Sequence, residues 1–194
     1  MSRLVVVKLG GGLARVAGGL AAGGAAVGRA ARHCPILVVP GGGVLADAVR
    51  VAERELSLSP AAAHWMAILA MDQYAYAVVS ATPGAVVVHD AVEIQTALAG
   101  GQVPVLAPYR WLLAADPLPH RWEVTSDSIA AFVAGALDAE LLVLLKPVAG
   151  PLEALVDECF REVVPRGLEV VALGSAELER LEDIVADRQS PPVV

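Results

Sequence analysis

Residues 4–12 read Leu-Val-Val-Val-Lys-Leu-Gly-Gly-Gly, and residues 35–43 read Pro-Ile-Leu-Val-Val-Pro-Gly-Gly-Gly, the second unit beginning 31 residues after the first. An apolar, valine-rich run without polar alternation suits a strand covered on both faces. Residues 4–9 and 35–39 are therefore read as buried strands. Each run ends in three glycines, where the backbone turns freely and a ligand can approach it closely. Between the two units lies an alanine-rich stretch that predicts a helix to about residue 32, weakened by the glycines at 18, 19, 23 and 24.

The same alternation continues outward. Residues 44–56 have helical spacing, with Leu45, Val49, Ala52 and Leu56 on one side. After the Ser57-Leu58-Ser59-Pro60 break, residues 61–79 predict a long helix carrying Trp65, Ile68, Leu69, Asp72 and Tyr76. Short strands over 85–88 and 103–107 flank a helix near 90–99. A helix over 125–137 has a good start, because Thr125, Ser126 and Asp127 can all cap amides. A buried strand over 140–145, a helix near 152–163, a strand near 168–173 and a helix near 176–186 follow, with a frayed tail at 190–194. Strands separated by helices predict an α/β fold, a three-layer αβα sandwich around a mainly parallel sheet. No linker composition marks a second domain, so residues 1–194 are read as one.

Composition narrows the function. The chain has 194 residues, 56% of them hydrophobic and 18% charged, which excludes a disordered chain. Fourteen basic residues and a net charge of −7 argue against a nucleic-acid groove. Small anions remain possible ligands, since backbone amides and a few cations hold them locally. Asp138 and Glu140 interrupt the most apolar stretch, residues 129–145, so no membrane span is expected. No uninterrupted signal-peptide core is present. Cys34 and Cys159 have no metal-binding spacing and are read as reduced thiols, which points to a cytoplasmic location.

The cations are unevenly chosen. Only two are lysines, Lys8 and Lys146, and each ends an apolar strand. Ligands of open parallel sheets bind beyond the carboxyl ends of the strands. Both lysines, both glycine loops and the start of the Ser126-Asp127 helix fall on that edge. Glycine loops offer amides to phosphate, and a lysine offsets charge on a transferring phosphoryl group. Taken singly, each feature has an ordinary explanation: a tight turn, a solvated strand end, a helix cap. The set favours phosphate chemistry. Neither lysine follows a glycine, so GxxxxGK[ST] is absent, and GxGxxG fails at Arg15 and Ala46.

At Val-Val-Lys8-Leu-Gly10-Gly11-Gly12, Val-Val-Pro-Gly41-Gly42-Gly43 and Val-Thr125-Ser126-Asp127-Ser128 the sequence resembles the amino acid kinase superfamily. Within it, the stretches at Asp47 to Arg50, His64, Met71-Asp72, His120 to Trp122 and Val156 to Phe160 look most like the methanofuran-pathway branch, which phosphorylates an aminomethyl-furanyl-methyl phosphate. The resemblance implies an ATP- and Mg²⁺-dependent kinase acting on a small anionic metabolite, in a homodimer or larger ring. It implies that Lys8 stabilises the transferred phosphoryl group and that Gly10, Gly11, Gly12, Gly41, Gly42 and Gly43 hold phosphates. Asp127 would position the lysine, Thr125 and Ser126 would belong to the nucleotide site, and Arg50 would meet the acceptor's anionic end. Asp72 is a candidate partner for a substrate ammonium, or simply a polar position on a helix face; His64 has the same two readings.

The chain departs from that pattern in its C-terminal half, about residues 140–194. Relatives carry Thr-Asp-Val-Asp-Gly after the strand ending at Leu145, where this chain has Lys146-Pro147-Val148-Ala149-Gly150. Lys146 is then either a second catalytic cation or a charge at the rim of a shortened nucleotide half. Three functions stay open: a small-molecule kinase, a homologue that binds ligand without catalysis, or a different anion-transforming enzyme that uses the glycine loops without ATP.

Overall fold

A computed structural model describes residues 4–115 and 118–189. Its centre is a six-stranded, wholly parallel sheet: β1 (Val5–Leu9), β2 (Ile36–Pro40), β3 (Ala85–Val88), β4 (Val103–Leu106), β5 (Leu141–Leu145) and β6 (Glu169–Leu173), in the order β3-β4-β2-β1-β5-β6. Nine helices among the described residues connect and cover it: α1 (Gly19–Ala30), α2 (Gly43–Leu56), α3 (Pro60–Ala81), α4 (Ala91–Ala99), α5 (Tyr109–Ala115), α6 (Ser126–Ala136), α7 (Leu152–Leu155), α8 (Phe160–Val163) and α9 (Arg180–Ala186). The three-layer α/β sandwich expected from the alternation is the observed architecture.

Strand parity sorts the core into two halves. Val5, Val7 and Leu9, with Val38 and Val143, face the layer holding α1 and α9. Val6, with Leu37, Val39, Leu142 and Leu144, faces the layer holding α4, α6 and Phe160 of α8. The central strands β1, β2 and β5 are buried along their whole length, which is why their sequences carry no polar alternation. By the same parity Lys8 shares the face of Val6, and Lys146, one residue past β5, shares that of Leu144. Both lysines are thereby aimed at the start of α6.

The structure corrects several expectations. The helix expected up to residue 32 is broken into a 3-10 turn at Leu13–Arg15 and α1, separated by Gly18 at φ +70°. The helix near 152–163 is two single turns, α7 and α8, and α5 was not anticipated. On α3, whose start is capped by Ser59 with Pro60 in its first turn, the apolar side chains divide between core and surface. Ile68 is core at 2% exposure, whereas Leu69 and Tyr76 are 39% and 64% exposed. Residues 190–194, read as a tail, lie outside the described residues. Among the described residues, no helix is long and apolar enough to cross a membrane.

Candidate functional site

Both glycine loops leave adjacent strands of the sheet, so they meet. A Cβ placed on Gly11 would stand 2.3 Å from the Cα and the amide nitrogen of Gly43, and one on Gly41 would stand 2.4 Å from the amide of Gly11. The two turns pack backbone against backbone, which only glycine allows. Gly43 adopts φ +53° as α2 begins, and α2 has no side chain capping its first turn. Its leading amides are the unfilled donors that favour an anion. Gly12 meets only Pro147 at ordinary contact distance. An ion pair between Arg15 and Asp47 ties the segment after the first loop to α2.

Beside the loops lies a buried ionic trio. Lys8 Nζ is 2.9 Å from Asp127 Oδ1, and Lys146 Nζ donates to Asp127 Oδ2 at 2.6 Å. The three residues are 5%, 4% and 7% exposed for Lys8, Asp127 and Lys146. Lys146 also donates to the Leu155 carbonyl of α7. Lys146 is thus no rim charge; it is held in the interior from both sides. The Lys8 ammonium reaches back over the first glycine, 2.8 Å from where a Cβ on Gly10 would be. Burial alone would raise the Asp127 carboxyl, but Lys8 and Lys146 outweigh it and hold it below its usual range. One carboxylate shared by two cations satisfies itself better than either of them. The Lys146 ammonium is accordingly pushed down, first by burial and then by the repulsion of Lys8, against the pull of Asp127. The trio carries one positive charge in excess, beside unfilled amides.

The start of α6 is a different case. Thr125 is its N-cap, with the hydroxyl accepting from Asp127 N at 3.3 Å. Asp157, 32 residues downstream of Thr125, accepts from the Thr125 amide at 3.0 Å, the Thr125 hydroxyl at 2.7 Å, the Ser128 amide at 3.2 Å and the Ser128 hydroxyl. The Thr125 and Ser128 amides at this helix start are thus filled by the chain's own carboxylate. Asp157 carried no role in the sequence reading, and a contact across that separation leaves no local signal.

A cleft of about 100 Å³ opens beside Gly42 and Ser126, walled by Arg50, His64, Met71 and Trp122. A chamber of about 280 Å³ shares His64 and Trp122 with it and adds Glu53, His120 and Glu123. His64 stacks on His120 with ring centres 4.3 Å apart. Arg50 lies over the Trp122 ring at 3.9 Å. Asp72 is turned to the start of α5, where it accepts from the Tyr109 amide at 2.9 Å, and it lines neither cavity. Its carboxyl is raised by burial, partly offset by that amide and by His89.

Among the described residues no cluster of three His, Cys, Asp or Glu side chains suits a metal ion. The two carboxylates that meet the lysines and the start of α6, Asp127 and Asp157, are engaged by lysines and by hydroxyls and amides. The residues present do not make a protein-held Mg²⁺ site.

Known proteins resemble this chain in sequence and in fold. The profile of the amino acid kinase family matches residues 3–154. The 5-(aminomethyl)furan-3-yl-methyl phosphate kinase of Methanocaldococcus jannaschii is 29% identical over 116 residues, 59% of this chain and 53% of that protein. An acetylglutamate kinase of Clostridium acetobutylicum is 42% identical over 57 residues, 29% of this chain and 18% of that protein. The chain spans about half the length of the first and under a fifth of the second. The crystal structure of uridylate kinase from Archaeoglobus fulgidus aligns with TM-score 0.69 at 20% identity, covering 94% of this chain and 96% of the other. A UMP kinase from Bacillus anthracis gives 0.64 at 13% identity, covering 93% and 92%. At those identities the two structures speak to the fold alone.

Proposed function

The chain belongs to the amino acid kinase family, and from that premise we propose that it transfers a phosphoryl group from ATP to a small acceptor that already carries a phosphate. The observation behind this reading is the buried Lys8–Asp127–Lys146 trio with its excess positive charge beside the amide-lined glycine loops. An acceptor phosphate oxygen attacks the γ-phosphorus of ATP, the bond to the β-phosphate oxygen breaks, and ADP leaves with the displaced charge. Lys8 and Lys146 offset negative charge on the phosphoryl group in flight, and the first amides of α2 hold its neighbours in place. The acceptor is already an anion, so no general base is needed. Asp127 fixes the two ammonium groups and takes no proton itself.

An acceptor of this class is supported by the cleft beside Gly42, where Arg50 offers a guanidinium. The similarity to the archaeal furan-phosphate kinase favours an aminomethylfuran-methyl phosphate or a close analogue. A divalent cation would arrive on the nucleotide's phosphates, the protein's own part being charge and position. A second copy of the chain, if the protein self-associates, would meet the side of α3 that exposes Leu69 and Tyr76.

The test is ADP release with Mg-ATP and a panel of phosphomonoesters, with the product followed by phosphorus NMR. A diphosphate product formed by the wild type and lost in Lys8→Met is the expected result. No ADP release, together with no nucleotide binding at millimolar concentration, would overturn the reading.

A further inference from the structure

Trp122 and Glu53 have no part in the phosphoryl transfer, yet they are joined to the arginine that faces the acceptor cleft. Arg50 and Glu53 lie three residues apart on α2 and therefore share a face of the helix. Side chains so spaced and oppositely charged ordinarily pair, but among the described residues these two do not. The Trp122 indole N–H instead donates to Glu53 Oε2 at 2.6 Å, while its ring face lies 3.9 Å from the Arg50 guanidinium carbon. One aromatic side chain therefore engages Glu53 through its N–H and supports the arginine with its flat face.

We propose that Trp122 is a positioning residue that sets acceptor specificity: locked by Glu53, it holds the Arg50 guanidinium so that the arginine selects acceptors already bearing a phosphate. A guanidinium lying on an aromatic face uses its π surface there and keeps its in-plane N–H fork free, which is the geometry that grips two oxygens of a phosphate. Arg50 is exposed on its helix, and unsupported it would lose several rotamers' worth of freedom on binding an anion. The same cleft is lined by Gly42 and Ser126, neighbours of the transfer centre, so an anion held by Arg50 lies within reach of it. The inference deepens the kinase reading and rests on it for which end of the acceptor reacts, but its core is a statement about binding.

It is tested by calorimetry on the full chain with two probes, furan-2-ylmethyl phosphate and furan-2-ylmethanol. Trp122→Ala and Arg50→Ala should each weaken the phosphate probe about tenfold and leave the alcohol unchanged. Adding Trp122→Ala to Arg50→Ala should cost nothing further, because the indole acts through the arginine. Trp122→Phe keeps a ring under the guanidinium and should restore most of the affinity; it also carries the test should Trp122→Ala not fold. Equal weakening of both probes, an undiminished effect of Trp122→Ala in the Arg50→Ala background, or failure of the wild type to bind the phosphate probe each overturns the inference. Discriminating binding without ATP turnover sinks the kinase reading alone, and turnover with an indifferent Trp122 sinks this one alone.

Discussion

Two helices begin at the same edge of the sheet and treat their first amides in opposite ways. α2 starts at Gly43 with no side chain over it, whereas α6 starts under the Thr125 hydroxyl and the Asp157 carboxylate. A helix start binds anions only while its amides are unfilled. On the proposed kinase reading, phosphate would therefore be received at the glycine loops, and the α6 side would contribute its charge through lysines, with Asp127 between them. The largest effect should come from removing that carboxylate. Asp127→Ala leaves two buried ammonium groups facing each other, and denaturant unfolding should show a loss of about 3–5 kcal/mol. The pH dependence has a definite sign. The Asp127 carboxyl sits below its ordinary 3.8 in the folded chain, so its contribution is complete above that value and is lost as the pH falls through the lower, folded one. The variant should lack that acid limb.

The glycine side can be broken more locally. Gly11→Ala drives a methyl into the backbone of Gly43, at 2.3 Å, and must push the two loops apart. It should cost about 1–3 kcal/mol and abolish phosphate binding. Gly12→Ala, with its nearest neighbour at 3.5 Å, should change stability by less than about 0.5 kcal/mol. Thermal melts of the two variants with and without phosphate separate a requirement for close approach from a mere preference for glycine.

How far the sequence reaches is also visible in these particulars. The uninterrupted apolar strands announce the parallel sheet, and their ends carry Lys8 and Lys146 to its carboxyl edge, while the meeting of both with α6 comes from the sheet's strand order. The glycine loops are legible because a backbone-to-backbone approach leaves only one residue type to choose from. Asp157 is not legible: its four donors are 29 to 32 residues away, and an aspartate in a turn looks like any surface carboxylate. Asp72 misleads for the converse reason, since a polar residue on a long apolar helix suggests a ligand, and its partner is the first amide of α5, a helix too short to announce itself. Arg50 is named in the sequence as the cation for the acceptor's anionic end, but the indole beneath it comes from a segment 72 residues later.

Asp157 offers a sharper version of the comparison. Asp157→Ala removes the acceptor of two hydroxyl and two amide hydrogen bonds, and should destabilise the fold by about 1–3 kcal/mol. It also frees the Thr125 and Ser128 amides, leaving the Thr125 hydroxyl as the one side-chain cap on the α6 start. Sulfate should then raise the melting temperature of the variant more than that of the wild type. An equal response in both would mean that the carboxylate is not what closes α6 to anions.

The mildest prediction separates the two lysines. Lys146 is held below the ordinary lysine value of 10.5, chiefly by burial and by Lys8. On the alkaline side the folded chain gives up this proton before the unfolded chain does, so between the two pKa values the unfolded state binds more protons and stability rises with pH on this group's account. The catalytic contribution proposed for it runs the other way, because a neutral amine no longer offsets phosphoryl charge. Turnover should therefore bend downward by a few fold below pH 10.5 while the unfolding midpoint does not fall with it. In Lys146→Met the bend should vanish and the remaining activity should be flat over that range. A bend that survives in this variant would belong to another group and would leave Lys146 as a counter-ion for Asp127 with no share in the transfer.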